Sequence, residues 1–185
     1  MSQNQRADAR SNRARVVAAA RETFAAVGLE APMRAVARRA GVGVATLYRH
    51  FPTRTELVTT VLAERVEDCG VRMRGALDDP DPWRALSGVV LEFADRQVHD
   101  RALNEALLGP GGVGVAFQEE RREHAQALNV LVARARAAGV LREGVDADDV
   151  RAALVAIASL RQLPSSRSEH VIGRLAGVIL AGIRR

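Results

Sequence analysis

The sequence predicts an all-α protein in which an N-terminal three-helix helix-turn-helix domain precedes a C-terminal helical bundle, with about nine helices in total. Three observations predict this fold. Apolar residues recur at helical spacing along most of the 185 residues, and no stretch alternates as a β-strand would. Capping residues, glycines and prolines also divide the chain into segments of helical length.

The N-terminal part of the chain predicts a polar arm followed by three short helices. Residues 1–10 are polar and predict a flexible basic arm. Residues 11–52 contain three stretches with helical apolar spacing. Gly28 and the Gly41-Val42-Gly43 turn separate these stretches, and Pro52 ends the third. We therefore expect a compact three-helix domain over residues 11–52.

The second and third of these helices predict a helix-turn-helix unit. Gly41 permits a backbone conformation that other residues resist. Val42, Leu47 and Phe51 are expected to pack inward and hold the third helix at a fixed angle. The side chains expected to face outward, with Tyr48 at the edge, are Ala45, Thr46, Arg49 and His50. A surface helix with a merely solvated polar face would show the same pattern, so both interpretations stay open at this point.

A long connecting helix is predicted over residues 53–77. Thr53 and Glu56 have capping-box spacing at its start, and an Asp- and Pro-rich break follows it. The remainder, residues 78–185, predicts a second domain. Its helices are expected to begin near Asp81, Asp100, Val115, Asp146 and Ser166.

Net positive charge is concentrated in the N-terminal third of the chain, because acidic residues are few there. All 27 basic residues are Arg, and residues 1–60 carry a net charge of +6 whereas the remainder carries −1. This distribution predicts a polyanion as partner, either nucleic acid or an anionic membrane. The longest apolar run is too short to span a bilayer, so we expect a cytoplasmic protein. If nucleic acid is the polyanion, we expect no membrane partner. The single cysteine, Cys69, excludes a disulfide framework and a Cys-rich metal site.

The stretch from Arg13 to Phe51 carries a recognisable set of motifs. It contains Val16-Val17-Ala18-Ala19-Ala20, then Ala40-Gly41-Val42, and finally Thr46-Leu47-Tyr48-Arg49-His50-Phe51. With the continuation through Thr53-Arg54 and Glu56-Leu57-Val58, this stretch resembles the N-terminal domain of the TetR family of bacterial regulators. Weaker similarity farther along, including Asp81-Pro82-Trp83, resembles the ligand-binding C-terminal domain of actinobacterial members.

The resemblance implies that the third helix enters the major groove of double-stranded operator DNA. Arg49 is then expected to donate to guanine, and Thr46 to contact a base edge or a thymine methyl group. Val44 and Ala45 are small enough for the helix to approach the DNA closely. Alternatively, Val44 packs into the protein interior. The residues expected to contact phosphate are Tyr48, His50, Arg54, Arg34, Arg6, Arg10 and Arg13. Ala31-Pro32 replaces the family's usual Thr or Ser at the start of the second helix, so Arg34 is expected to take over that contact.

The resemblance also implies an effector pocket and a homodimer interface in the C-terminal domain. The expected apolar pocket walls are Met73, Trp83, Phe93, Phe117 and Leu128, and the expected polar anchors are Arg96, Gln97, His99 and His124. A stripe of small residues on the last helix would allow a second helix to approach closely. The expected interface residues are Ile157, Leu160, Gly173, Leu175, Gly177, Val178 and Ile179, with ordinary core packing as the alternative.

These expectations combine into a homodimeric, ligand-responsive transcriptional regulator, expected to be a repressor released from a palindromic operator by a small-molecule effector. Two alternatives remain: a non-specific architectural DNA-binding protein, and a helical ligand-binding protein or enzyme whose basic head is incidental. The sequence shows no paired acid and base and no nucleophile constellation, so we expect no enzymatic activity. We likewise expect no cofactor and no metal.

Overall fold

The computed structural model describes residues 3–99, 101–108, 117–160 and 165–185; within these ranges it describes every side chain except those of residues 3–10, 98, 99, 101, 104, 108 and 165–168. This part of the chain forms nine α-helices and two compact units. The first unit comprises Met1–Arg65 and Arg101–Phe117, and the second comprises Val66–Asp100 and Gln118–Arg185. Apart from one isolated bridge between Leu141 and Arg184, the described residues contain no β-structure, which confirms the predicted all-α fold.

The first unit is built around α1. Its helices are α1 (Gln3–Val27), α2 (Met33–Ala40), α3 (Val44–His50), the N-terminal half of α4 (Arg54–Asp78), and α6 (Arg101–Leu108). Helix α1 packs against α2, α3 and α6. Large apolar side chains from every one of these helices are fully buried, among them Phe24, Val36, Leu47, Leu57 and Leu103. Burial of this kind supplies most of the stability of short helices, which are marginal in isolation.

The second unit is built around α5. Its helices are the C-terminal half of α4, α5 (Pro82–His99), α7 (Gln118–Ala137), α8 (Ala147–Ser159) and α9 (Ser165–Ile183). Helix α5 packs against α7, α8 and α9. Its core includes Leu86, Phe93, Leu131, Ile157 and Ile172.

Three of the predicted helix starts have the expected caps. The Thr53 hydroxyl oxygen accepts from the backbone N–H of Glu56 at 3.1 Å. The Asp81 carboxylate accepts from the N–H groups of the second and third residues after it, at 2.9 and 3.0 Å. Asp146 and Asp149 form a reciprocal capping box at the start of α8. These bonds satisfy backbone donors that have no partner inside the helix.

Some predicted boundaries are wrong. Helix α1 begins at Gln3, within the expected arm, because its first turns contain Ala, Gln and Arg and no helix breaker. The expected flexible arm over residues 1–10 is therefore helical from Gln3 onward. Helix α6 lies within the predicted domain of residues 78–185, but it packs on α1 and belongs to the first unit. The Asp- and Pro-rich break marks the end of a helix and not the edge of a packing unit.

Some predictions lie outside the described residues. These are the helix starts expected near Asp100 and Val115. Within the described ranges, no helix is long and apolar enough to cross a bilayer.

Candidate functional site

The turn between α2 and α3 depends on Gly41. This residue has φ = +65°, in the left-handed region that favours glycine. The N–H groups of Gly41 and Val42 donate to the carbonyls of Arg38 and Ala37 at 3.2 and 3.0 Å, which ends α2. From α1, Arg15 Nη2 donates to the Ala40 carbonyl at 2.6 Å. A Cβ at position 41 would lie 2.7 Å from that nitrogen, so another residue would displace the flexible Arg15 side chain in addition to adopting an unfavourable φ.

Helix α3 is attached to the first unit by two buried side chains. Leu47 is 0% exposed and Phe51 is 1% exposed. Val42, expected to pack inward as well, is half-buried. Because Leu47 and Phe51 lie one turn apart, they fix both the position and the rotation of α3.

The opposite side of α3 is open, as the sequence predicts. Four of its side chains are exposed and two are half-buried. The exposed ones are Val44, Ala45, Tyr48 and Arg49, and the half-buried ones are Thr46 and His50. Val44 is 42% exposed, so its alternative of packing inward is wrong. The Arg49 guanidinium donates to the Thr46 hydroxyl oxygen at 2.9 Å, which holds the two predicted base-contacting side chains together.

The arginines around this face fall into two groups. Arg34 is exposed on α2, at the end where Pro32 provides no side-chain cap. Arg39 is paired with Glu22 at 2.6 Å, and the Arg13 guanidinium lies over the Phe51 ring, 4.8 Å from its centroid. The side chains of the other two predicted phosphate ligands, Arg6 and Arg10, lie outside the described residues.

Arg54 does not fit its predicted role as a free phosphate ligand. Its Nη2 donates to the carbonyls of Leu29 and Ala31, the latter at 2.8 Å. The N–H of Leu29 in turn donates to the Glu105 carboxylate at 2.7 Å. The loop between α1 and α2 is therefore held from α4 and from α6. Sequence analysis missed Arg15 and Glu105, since a long side chain that binds a distant carbonyl leaves no local pattern.

We expect Arg54→Met to destabilise the first unit by about 1.5–3 kcal/mol, the range for hydrogen bonds made by a charged group. Urea denaturation followed by circular dichroism measures this loss. The matched control is Arg34→Met, which removes an exposed guanidinium. It should leave stability nearly unchanged and reduce the salt dependence of DNA binding by about one phosphate contact. A stable Arg54→Met protein with the reduced salt dependence would restore Arg54 as a phosphate ligand.

In the second unit, the structure brings together only some of the predicted pocket residues. A groove of about 400 Å³ lies between α4 and α7, and Met73 and His124 line it. The remaining lining residues are Gly70, Arg74, Leu77, Glu123, Gln126, Ala127 and Val130. Phe93 and Leu128 are buried in the core of the unit.

Two predicted pocket walls lie outside this groove. Trp83 packs at the edge of the core, and the Arg184 guanidinium lies 5.0 Å from its ring centroid. Phe117 is buried in the first unit. A large apolar side chain is a core residue more often than a ligand contact, and sequence spacing does not separate these roles. The side chain of His99 lies outside the described residues.

Both ring nitrogens of His124 have partners. Nδ1 donates to the Glu120 carbonyl at 2.6 Å, and Nε2 lies 3.1 Å from the Cys69 sulfur. Burial lowers the pKa of His124, but the hydrogen bonds with Cys69 and Glu120 outweigh it, so the pKa lies above its ordinary value. The positive charge of Arg96 lowers the pKa of His124. His124 thus joins α7 to α4, a role that the isolated histidine in the sequence did not reveal.

We expect the stabilisation provided by His124 to disappear as the pH rises. A group whose pKa is raised in the folded state contributes to the free energy of unfolding. This contribution is complete at a pH below the pKa of the unfolded state, about 6.5, and is lost as the pH rises through the pKa of the folded state. Melting temperatures of the wild type and His124→Gln should therefore differ more at acidic than at alkaline pH. His170→Gln, at an exposed position, is the control. A difference that grows with pH would contradict the assignment.

The predicted dimer residues divide into buried and exposed sets. Ile157 is fully buried in its own chain, so the prediction that it lies in the dimer interface is wrong. Leu160, Leu175 and Ile179 are half-buried against the core. The exposed residues are Gly173, Gly177 and Val178, the last 65% exposed. Val155 on α8, next to buried Leu154, is also exposed, at 60%, and was not among the predicted interface residues.

Comparisons with known proteins agree with this geometry. Residues 16–61 match the bacterial regulatory proteins of the tetR family, and residues 81–185 match the SbtR-like transcriptional regulator C-terminal domain. The chain is 37% identical to the TetR transcription regulatory protein from Mycobacterium vanbaalenii, with 98% of this chain and 99% of that one covered and a TM-score of 0.56. The ketosteroid transcriptional regulator KstR2 of Mycobacterium tuberculosis shares the fold, at 19% identity and a TM-score of 0.71 over 94% of this chain and 95% of that one.

A curated relative matches over part of its length. The chain is 34% identical over 100 residues to the HTH-type transcriptional repressor KstR of Mycolicibacterium smegmatis. The aligned residues make up 53% of this chain and 49% of the repressor. The match thus spans about half of that relative.

Proposed function

The chain belongs to the TetR family of bacterial regulatory proteins, and from this premise we propose that it is a homodimeric transcriptional repressor released from its operator by a small-molecule effector. KstR of Mycolicibacterium smegmatis, which resembles it over 100 residues, is a transcriptional repressor. An operator on the bacterial chromosome places such a regulator in the cytoplasm.

The observation that carries the proposal is the exposed face of α3, held from behind by Leu47 and Phe51. In a major groove, Arg49 donates to guanine O6 and N7, and Thr46 contacts the neighbouring base. Val44 and Ala45 are small enough for the helix backbone to come close. Tyr48, His50 and Arg34 contact phosphates and set the register of the protein on DNA.

A dimer would place two such helices on one palindromic operator. The exposed apolar face of α8 and α9, which includes Val155, Gly173, Gly177 and Val178, is the proposed contact between subunits. Two subunits related by a twofold axis would reach half-sites about one turn apart, roughly 34–36 Å. Without the dimer, each half-site contact would be too weak for specific binding.

We expect Val178→Asp to convert the dimer to monomers, because a carboxylate at 65% exposed Val178 would have to be buried in the subunit contact. Analytical ultracentrifugation measures the change. Leu91→Asp, which places the same charge at an exposed apolar position on α5, is the control and should stay dimeric. Two variants with the same sedimentation coefficient as the wild type would exclude this face as the interface.

The proposed function is tested by retention of genomic DNA on the immobilised protein in the presence of excess random DNA. We expect one or a few fragments to be enriched, each with a palindrome whose half-sites lie about one helical turn apart. Equal retention of all sequences would favour a non-specific architectural protein. Failure to retain DNA, together with turnover of a small molecule, would favour the enzyme alternative.

A further inference from the structure

Helices α4, α5 and α7 of the second unit meet at a cluster of charged side chains. Glu92 Oε1 on α5 accepts from Arg72 Nε on α4 at 2.6 Å and from Arg96 Nη1 on α5 at 2.7 Å. One turn from Arg72, Cys69 contacts His124 of α7. The charge of Arg96 acts on His124, so the two side chains are within electrostatic reach of each other. We call Arg72, Glu92, Arg96 and His124 the basic cluster.

The basic cluster carries more positive than negative charge. Two guanidiniums share a single carboxylate, and His124 adds further positive charge when it is protonated. The side chain of Arg96 is 14% exposed, so solvent screens its charge only weakly. Asp95, next to Arg96 on α5, is exposed. A partly buried cluster of this composition favours a bound anion.

Two hydrogen-bond donors on α5 support the same conclusion. Arg96 Nε and Gln97 Nε2 are buried and have no hydrogen-bond partner in the described part of the chain. Gln97 is 4% exposed and continues the buried stripe of Val90, Phe93 and Ala94. A buried donor without an acceptor is destabilising, and native structures keep few of them. An acceptor supplied by a ligand would satisfy a donor of this kind.

The groove between α4 and α7 provides an apolar surface beside the basic cluster. Met73, Leu77, Ala127 and Val130 line it, and His124 belongs both to the lining and to the cluster. The charged lining residues Arg74 and Glu123 are exposed. Its lining extends over two turns of each helix, which is about 10 Å at 1.5 Å per residue. An apolar groove of this length accommodates a linear chain of roughly eight methylene groups, at about 1.25 Å per group.

We propose that the effector of this regulator is an amphipathic monocarboxylate, with its apolar chain in the α4–α7 groove and its carboxylate held by Arg96, with Gln97 as a second donor. This inference rests on the proposed function, since it names the chemical class of the effector. The carboxylate would provide the second anion that the basic cluster needs. A neutral ligand of the same shape would fill the groove but leave the surplus charge uncompensated.

The test compares decanoate with decanol, which share a ten-carbon chain and differ in the charge of the head group. Isothermal titration calorimetry on the full chain should show that decanoate binds at least about tenfold more tightly. Arg96→Met should remove this preference. Arg84→Met, an exposed arginine on the same helix, is the matched control and should retain it. A wild type that prefers neither ligand, or an Arg96→Met variant that still prefers decanoate, would overturn the proposal.

Gln97→Met gives an independent readout. It should weaken decanoate binding and also raise the melting temperature of the ligand-free protein, because it removes a buried donor that has no acceptor. A lower melting temperature would show that Gln97 has a structural partner and would contradict its role.

DNA binding separates this inference from the proposed function. Decanoate should release the retained operator fragment from the wild type but not from Arg96→Met. If specific DNA binding is found but decanoate neither binds nor releases it, only the effector class is wrong. If decanoate binds with the expected preference but no DNA is retained specifically, the proposed function fails and the anion site stands.

Discussion

Phe51→Ala is expected to destabilise the first unit by about 3–5 kcal/mol, the range for truncating a buried phenylalanine, and to abolish specific DNA binding. Phe51 is 1% exposed and follows directly on α3, and the Arg13 guanidinium lies over its ring. Truncation therefore leaves a cavity behind the helix and removes the aromatic partner of Arg13. Because α3 is only seven residues long, it has no stability of its own to compensate.

Tyr48→Ala is the matched control for this prediction. Tyr48 is an aromatic residue on the same helix but is 44% exposed, so its truncation should change stability by no more than about 0.5 kcal/mol. Trp83 is the only tryptophan and lies in the second unit, so its fluorescence follows that unit separately during urea denaturation. Equal stability losses for the two variants would mean that Phe51 does not anchor α3.

Arg49→Ala should relax sequence preference with little change in stability. A bidentate contact between arginine and guanine discriminates against the wrong base by about 1–3 kcal/mol. In the free protein the exposed guanidinium of Arg49 bonds only the Thr46 hydroxyl among its described contacts, so its removal leaves no buried group unpaired. Competition of operator and random DNA for the same protein measures the preference.

Arg34→Ala is the control for Arg49→Ala, because it removes an exposed arginine from α2. It should weaken binding to operator and random DNA alike and lower the salt dependence by about one phosphate contact. If both substitutions reduce operator and random binding by the same factor, α3 does not read bases through Arg49.

The fold and the exposed face of α3 were predictable from local sequence. Gly41, followed by the buried positions Leu47 and Phe51, sets a helical rotation that leaves Tyr48 and Arg49 outside. These features depend on backbone preference and on the spacing of apolar residues, both of which are visible in a short window of sequence.

The partners of long side chains were not predictable in the same way. Arg54 reaches back 25 residues to the Leu29 carbonyl, and nothing in its local pattern separates that role from a phosphate contact. Ile157 belongs to the same helical stripe as the expected interface residues, yet it points into its own chain. The partner of Arg54 and the orientation of Ile157 both depend on how helices distant in sequence pack together.

In the second unit, contacts between helices distant in sequence were likewise not predictable. Arg96, Gln97 and His124 were expected as polar anchors of an effector pocket. Their grouping with Arg72 and Glu92 follows from the packing of α4 against α5, which no spacing within either helix predicts.

The central claim, that the exposed face of α3 enters a major groove, is tested most directly by methylation interference on the enriched operator. Methylation of guanine N7 blocks the acceptor that Arg49 is expected to use. We expect methylation at one guanine in each half-site to prevent binding of the wild type but to have no effect on binding of Arg49→Ala. The same interference pattern for both proteins, or no interference at any guanine, would contradict the claim.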